Sequence, residues 1–334
     1  AETNFALVID GVLQTNPNAL NQELANVTQI EILKGPQGAV YGRNALAGAL
    51  IMSTRKPGDD WQTDVDAGWG SAGSYNGGLW TGGPLGDTVR GALSVYTRNV
   101  DGLWNNLKLS CGNCVDFLDE TGINGRLLFD LAGGEMDFKA KYSQVSSGAI
   151  NFNASIALAD VAPFVGPAFY EDPNKHNFRY INNVRPENEQ DNLNLSIKGD
   201  WDLEFATLTS YVAYNDQTNY FLTDGTSDAF LLYMANLPPP NSSSAVTTCA
   251  QTNYSNLSDP GYEAPFFGIP SSIWFTPAGN NGAGFLPPYG PSTCGGYQYQ
   301  QRDQQDLSFE MRLTSPGDQR LRWLGGVYLA DIER

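Results

Sequence analysis

The chain of 334 residues is poor in the residues that perform most enzyme chemistry, and it is poor in cations. It has one histidine, four cysteines and four methionines, and 36 acidic residues against 19 lysines and arginines give it a net charge of -17. The shortage of cations argues against a nucleic-acid binder, since such proteins carry basic patches. The single histidine, His176, lies in a loop, where a lone histidine is usually a solvated surface residue, and we expect no enzyme activity, no cofactor and no metal site.

Long apolar runs are also absent, and so is an export signal. No stretch approaches the roughly 20 apolar residues that a transmembrane helix needs. Membrane strands are not excluded, because they alternate lipid-facing and lumen-facing residues and are only half apolar. The start, Ala1-Glu2-Thr3-Asn4, has neither the basic region nor the apolar core of a signal peptide. We therefore expect the sequence to be an internal fragment of a longer protein.

Among the features that are present, the most distinctive is the run IEILKGPQGAVYGRNALAGALIMSTRKP at residues 30–57. An apolar, strand-like stretch leads into a loop with Gly35, Gly38 and Gly42, and a second apolar stretch follows. Glycine-rich loops of this kind often bind phosphate, but the spacing fits neither the Walker pattern nor the dinucleotide fingerprint. A generic βαβ fragment remains the alternative for this run.

Together with Val8-Ile9-Asp10-Gly11-Val12, the run at 30–57 resembles the plug domain of TonB-dependent outer-membrane receptors. The resemblance implies that residues 1–57 are the C-terminal portion of a small mixed α/β plug, with strands near 6–12, 28–34 and 48–55. Asp10 and Gly11 end a strand in a turn, and a catalytic role for Asp10 is disfavoured because no partner is nearby.

From residue 61 onward the sequence alternates apolar and polar residues, as in Met136–Tyr142 and Leu307–Thr314. The connections alternate between short turns and long loops, which is typical of outer-membrane barrels and less so of soluble β-sandwiches. We predict a mainly β chain in which residues 58–334 form about nine strands of a transmembrane antiparallel β-barrel. Plugged transporters have about 22 strands, so these would be the N-terminal part of a larger barrel.

Four cationic residues of the plug region, Lys34, Arg43, Arg55 and Lys56, lie among apolar residues. Solvated charge at loop ends is the ordinary explanation. Inside a barrel, however, they would need partners, because an unpaired buried charge is costly. The resemblance implies that plug arginines pair with barrel glutamates. We therefore expect Glu310, on the polar face of its strand, to pair with Lys34 or Arg43.

The four cysteines lie in two of the long loops. Cys111 and Cys114 have CxxC spacing, which also occurs in zinc and redox sites, but a loop position without further ligands favours a small disulfide. Cys249 and Cys294 flank most of the longest loop, where a bridge would restrict its conformations. We predict the pairs Cys111–Cys114 and Cys249–Cys294, although four cysteines permit three connectivities.

The longest loop is rich in aromatic residues in a background of asparagine, serine and glycine, and loops of this length are usually functional or disordered. Its rings would contact a ligand or, alternatively, pack on one another as a lid. The candidate ligand contacts are Tyr254, Tyr262, Phe266, Phe267, Trp274, Phe275, Tyr289, Tyr297 and Tyr299.

The resemblance implies a receptor in the outer membrane of a Gram-negative bacterium that binds a small-molecule nutrient outside the cell. It would import the nutrient with energy from the TonB–ExbB–ExbD complex, which contacts a segment upstream of Ala1. Its partners would be outer-membrane lipid and the nutrient, and not nucleic acid. Iron–siderophore complexes are the commonest cargo of the family, while oligosaccharides and other nutrients remain open. The alternative is a passive surface adhesin or carbohydrate-binding β protein.

Overall fold

The computed structural model contains two main β-sheets, a small one near the N-terminus and a large one after it. The structure describes residues 4–16, 26–41, 45–106, 109–149, 159, 163, 172–175, 180, 182, 184–224, 263–264, 269–270 and 297–334. Strands make up most of these residues, which confirms the mainly β fold class predicted from the alternating pattern.

The small sheet has four strands in the order β2-β1-β4-β3, and β1 and β4 run parallel. Its strands are β1 (Phe5–Ile9), β2 (Val12–Gln14), β3 (Val27–Lys34) and β4 (Gly48–Thr54), and the short helix α1 (Gly38–Tyr41) precedes β4. One face is apolar because Ala6, Ala45 and Ala49 pack against half-buried Leu33 and Tyr41. Among the described helices, none is long and apolar enough to cross a membrane.

The segment predicted as one strand near 6–12 is in fact two strands joined by a tight turn. Asp10 and Gly11 form the turn with φ angles of 51° and 84°, and Val12 pairs with Ile9 in antiparallel register. An Asp-Gly pair with positive φ at both positions is the favoured two-residue hairpin connection. The single-strand prediction was therefore wrong, although the expected turn at Asp10 is confirmed.

The large sheet has nine antiparallel strands, in the order β15-β14-β11-β10-β9-β8-β7-β6-β5. They are β5 (Gln62–Trp69), β6 (Tyr75–Pro84), β7 (Val89–Val100), β8 (Leu118–Leu131), β9 (Gly134–Ser147), β10 (Glu187–Asp202), β11 (Thr207–Asp224), β14 (Tyr297–Thr314) and β15 (Leu324–Glu333). Each strand pairs with its neighbours in sequence, apart from the separate small hairpin β12 (Glu263–Ala264) and β13 (Ile269–Pro270). The predicted strand number is confirmed.

Burial in the large sheet is the reverse of that in a soluble protein. The outward face carries exposed apolar side chains such as Ile197, Leu307 and Leu329, whereas the inward face buries polar ones such as Asn192 and Asp306. Because side chains alternate along a strand, this pattern places one face toward an apolar medium and the other toward a polar interior.

The connections of the large sheet alternate in length, as the sequence predicted. The connections at one end are residues 85–88, 132–133, 203–206 and 315–323, and those at the other end include the much longer 101–117, 148–186 and 225–296. One connection at the long-loop end, residues 70–74, is short. We call these two ends the short-turn end and the long-loop end.

Gly48 begins β4 with a φ of 153°, and a Cβ atom there would lie 2.2 Å from the backbone oxygen of Leu33. Only glycine avoids this clash, so we predict that Gly48→Ala loosens the small sheet. The small sheet should become several-fold more sensitive to limited proteolysis, since β3 and β4 cannot keep their spacing.

The matched control is Gly38→Ala in α1, where a Cβ atom would have no neighbour within 4 Å. This change should leave the proteolysis rate unaltered. Equal rates for both variants would show that the close approach at Gly48 is unimportant.

Candidate functional site

The turn between β1 and β2 lies against the inner wall of the large sheet, with Asp10 at the contact. The Asp10 carboxylate accepts hydrogen bonds from the Thr54 backbone N–H at 2.7 Å and the Thr54 hydroxyl at 2.6 Å. Its Oδ2 also lies 2.6 Å from Nζ of Lys139, which is on β9 of the wall. Asp10 thus links the C-terminal ends of both strands of the small sheet's parallel pair to the large sheet.

Arg126 of β8 makes the second half of this contact. Its Nε and Nη2 donate to both carboxylate oxygens of Asp137, at 3.0 and 2.7 Å. Its Nη1 donates to the backbone oxygens of Thr54 and Arg55, each at 3.2 Å. The side chains of Asp10, Arg126 and Asp137 are at most 8% exposed, and that of Lys139 is 18% exposed. We call Asp10, Thr54, Arg126, Asp137 and Lys139 the latch cluster.

The charges of the latch cluster set the protonation of Asp10. Burial by itself raises the pKa of Asp10, but the Lys139 ammonium, the Arg126 guanidinium and the Thr54 hydrogen bonds outweigh it, so the pKa lies below its ordinary value. Asp10 is therefore ionised at neutral pH, and the contact between the small sheet and the wall is a charged one.

An apolar contact lies next to the latch cluster. Val12, on the far side of the Asp10 turn, packs in a buried cluster with Tyr211 and Ala213 of β11. The Tyr211 hydroxyl accepts a hydrogen bond from the Leu13 backbone N–H at 3.4 Å. Gly11 approaches Lys198 so closely that a Cβ atom would be 3.1 Å from its Cε. Gly11 and Val12 therefore allow the turn to pack closely against the wall.

A second polar contact joins the end of β2 to strands β11 and β14. The buried carboxylate of Asp306 accepts hydrogen bonds from the Thr15 hydroxyl at 2.5 Å, Asn215 at 2.8 Å and Gln304 at 3.2 Å. No cation lies within ion-pair distance of Asp306 among the described residues, so neutral donors alone satisfy it. This contact is independent of the latch cluster.

Arg55 and Lys56 tie the segment after β4 to the wall near the short-turn end. Arg55 forms an ion pair with Asp64, and its guanidinium carbon lies 3.7 Å from the centre of a Trp80 ring. Lys56 pairs with Glu135 at 2.5 Å. These two cations therefore have partners in the wall, although the Lys56 side chain is 53% exposed.

The ion-pair partner that the structure shows for Glu310 is Arg312, and not the predicted Lys34. Glu310 lies 3.4 Å from Arg312 of its own strand and opposite Tyr211 of β11. Within the described part of the chain, no ion pair joins Glu310 to Lys34, which is exposed. Arg43 lies outside the described residues, so its pairing with Glu310 stays a prediction. The ion pair across this contact instead joins Lys139 of the wall to Asp10 of the small sheet, while Arg126 pairs with Asp137 within the wall.

A cavity of about 790 Å³ lies between the small sheet and the wall toward the long-loop end. Its lining includes Asn26 and Val27 of the plug, Trp80 and Tyr96 of the wall, and Asp116 of the following loop. This volume falls within the range of about 300–1,000 Å³ that is typical of small-molecule sites. A smaller cavity, of about 120 Å³, borders the latch cluster and is lined by Asp10, Arg126 and Lys139 among others.

The loop 101–117 above the large cavity is held by local bonds. A disulfide joins Cys111 to Cys114, with Cα atoms 6.0 Å apart, which is the pairing predicted for these two residues. The Asp116 carboxylate accepts hydrogen bonds from the backbone N–H groups of Leu103 and Trp104 at 2.9–3.0 Å. Cys249 and Cys294 lie outside the described residues, and their pairing stays a prediction.

Most of the aromatic residues proposed as ligand contacts lie outside the described part of the chain. Tyr297 and Tyr299 are described, and both are more than 60% exposed at the long-loop end of β14. Their ring centres are 6.3 Å apart. His176 lies outside the described part of the chain. The other candidate aromatic residues also lie outside it, and they are Tyr254, Tyr262, Phe266, Phe267, Trp274, Phe275 and Tyr289.

The plug sheet, the inverted burial of the large sheet and the alternating loops match proteins of known class. The family model of the TonB-dependent receptor plug domain matches residues 1–49. The chain is related to the TonB-dependent outer-membrane receptors. This relationship places the protein in the outer membrane of a Gram-negative bacterium.

The structural similarity covers nearly the whole chain, whereas the sequence similarity covers only 28% of it. The catecholate siderophore receptor Fiu of Escherichia coli K12 is 34% identical over 95 residues, which are 28% of this chain and 12% of Fiu. The ferric yersiniabactin uptake receptor FyuA of Yersinia pestis has a similar structure, with a TM-score of 0.64 at 15% identity over 98% of this chain and 39% of FyuA.

The pyoverdine outer membrane receptor FpvA of Pseudomonas aeruginosa also has a similar structure, with a TM-score of 0.59 at 15% identity. The match covers 99% of this chain and 39% of FpvA. The chain thus spans well under half the length of these relatives.

Sequence reasoning did not find the latch cluster. It assigned Asp10 only to a turn, and it placed Asp137 and Lys139 on the polar face of a strand without partners. The available signal was the cluster of charges on one face of β9, since charged residues facing a barrel interior need counter-charges. What pointed to Glu310 instead was the family resemblance together with its position on the polar face of its strand.

We predict that Asp10→Asn weakens the attachment of the plug more than the double variant Asp10→Asn/Lys139→Met does. The single change leaves the Lys139 ammonium buried beside Arg126 with only Asp137, 3.9 Å away, as an anion. Breaking a buried pair from one side costs about 3–5 kcal/mol, whereas removing both charges costs less. The measurement is hydrogen exchange at the Thr54 amide in the full-length receptor.

The matched control is Thr15→Ala, which removes a hydrogen bond from Asp306 and leaves the latch cluster intact. Its effect should add independently to that of Asp10→Asn. Exchange at Thr54 that is equally fast in the single and double variants would contradict the charged latch.

Proposed function

We propose that this chain is the plug and wall portion of an energy-coupled nutrient receptor, in which residues 1–57 are the plug and residues 58–334 are barrel strands with extracellular loops. The observation that carries the proposal is the attachment of the small sheet to the inner wall chiefly through polar side chains. Such contacts can be exchanged for water with little net loss. A plug held in this way can move without unfolding the barrel.

The proposed partners follow from this function. The TonB–ExbB–ExbD complex supplies the pulling force, outer-membrane lipid surrounds the apolar outer face, and a small-molecule nutrient enters from the long-loop end. The cavity bordered by Asn26, Trp80 and Tyr96 is the proposed first contact for the nutrient below the loops. No catalytic step is required, because the nutrient crosses the membrane unchanged.

An iron–siderophore complex is the proposed nutrient, and the names of the relatives support it. Fiu is a catecholate siderophore receptor, FyuA takes up ferric yersiniabactin, and FpvA was solved with pyoverdine bound. A passive adhesin is the weaker candidate, since a plug sheet bonded to the inner wall serves no purpose in surface attachment.

The test is nutrient uptake by cells that depend on the full-length receptor. We expect radioactive iron, supplied as a panel of siderophore complexes, to accumulate when TonB is present and to bind without accumulating when TonB is deleted. If the receptor bound no ferric siderophore although heat-modifiable gel mobility showed a folded barrel, this result would contradict the proposed nutrient. Uptake independent of TonB would contradict energy coupling.

We also predict that deleting residues 250–293 weakens nutrient binding without preventing barrel assembly. The barrel is held by strand pairing, which this loop does not supply, whereas each stacked aromatic ring contributes on the order of 1 kcal/mol to binding. Loss of several rings should raise the dissociation constant at least about tenfold. Unchanged affinity in a folded barrel would indicate that the cavity or other loops bind the nutrient.

A further inference from the structure

The connection 315–323 between β14 and β15 differs in charge from the other connections at the short-turn end. Residues 85–88 and 203–206 each carry one acidic residue, Asp87 and Glu204, and residues 132–133 carry no charge. The 315–323 connection carries Arg320 and Arg322 with one acid, Asp318. Both arginines are exposed, and neither has an ion-pair partner among the described residues.

The base of this connection is fixed, so its arginines have a defined place. Ser315 and Trp323 close it by backbone and side-chain bonds, because the Ser315 N–H donates to the Trp323 oxygen and the Trp323 N–H donates to the Ser315 hydroxyl, each at 2.9 Å. Ser315 is 7% exposed. The segment between them projects beyond the last paired residues of the sheet.

Apolar side chains surround the arginines at this end. Leu321, between them, is 75% exposed, and Trp323 is also exposed. The neighbouring short connections and strand ends carry further exposed apolar residues, which are Trp61, Leu85, Leu131, Leu203 and Phe205. A ring of this kind, where the apolar outer face of the strands ends, marks the boundary between hydrocarbon and water.

We propose that Arg320 and Arg322 form a binding site for the phosphate headgroup of an anionic phospholipid in the periplasmic leaflet. The short turns of outer-membrane barrels face the periplasm, so these arginines meet phospholipid. A guanidinium donates two parallel hydrogen bonds to a phosphate, which an ammonium cannot do. Leu321 and Trp323 contact the upper part of the acyl chains, so the site recognises a lipid and not a free anion.

The test uses the purified full-length receptor with phosphatidylglycerol, and native mass spectrometry measures the lipid retained. The double variant Arg320→Gln/Arg322→Gln should retain at least about tenfold less phosphatidylglycerol, since each arginine at a membrane surface adds substantially to affinity for anionic lipid. The variant Arg320→Lys/Arg322→Lys should retain an intermediate amount. Heat-modifiable mobility checks that each barrel is folded.

The matched control is Lys175→Gln, which removes an exposed cation at the long-loop end, 3.7 Å from Asp172. Its lipid retention should equal that of the unchanged receptor. A third variant, Leu321→Ser/Trp323→Ser, keeps both arginines and should also lose lipid. Phosphatidylcholine should be retained weakly by all forms, and glycerol 3-phosphate should not compete with phosphatidylglycerol.

Three results would overturn the proposal. The first is equal phosphatidylglycerol retention by the double glutamine variant and the unchanged receptor. The second is an equal loss in Lys175→Gln, which would indicate a general charge effect. The third is full competition by glycerol 3-phosphate, which would indicate a simple anion site. None of these outcomes depends on nutrient uptake, so the experiment tests the lipid site independently of the proposed function.

Discussion

The structure depends on one constraint: the large sheet turns its apolar face outward and must satisfy its polar face from within. Asn192, Asn215 and Asp306 are buried on that inner face, and buried polar groups without partners are costly. The wall strands supply part of the hydrogen bonding to one another, and the plug supplies another part through Asp10 and Thr15. The small sheet therefore satisfies part of the polar inner face of the wall.

The same constraint explains why the contact between plug and wall is mostly polar. The apolar cluster of Val12, Tyr211 and Ala213 is small, whereas the latch cluster and the Asp306 contact join several strands through charged and amide groups. An apolar contact of comparable area would resist separation in water, because burial is favourable in proportion to the area removed from water. Charged contacts fix the position of the plug, and water can still replace these contacts with little net loss.

The two ends of the large sheet present different chemistry. At the long-loop end, the disulfide of Cys111 and Cys114 and the carboxylate of Asp116 hold a loop over a cavity of about 790 Å³. At the short-turn end, exposed leucine and aromatic side chains form a ring. The long-loop end thus presents hydrogen-bonding groups, while the opposite end presents apolar side chains.

Local patterns in the sequence determined the strand number, the inverted alternation and the alternating loop lengths, because each depends on neighbouring residues along one strand. Glycine spacing and the Val8–Val12 segment indicated the plug, and CxxC spacing in a loop was enough for the Cys111–Cys114 pair. The partners of buried charges were not determined in this way. Asp10 and Lys139 are 129 residues apart, and their meeting depends on how the small sheet sits against the wall. Only tertiary structure brings the two sheets together, so it alone decided that Lys139 and Arg126 contact the plug at Asp10 and Thr54.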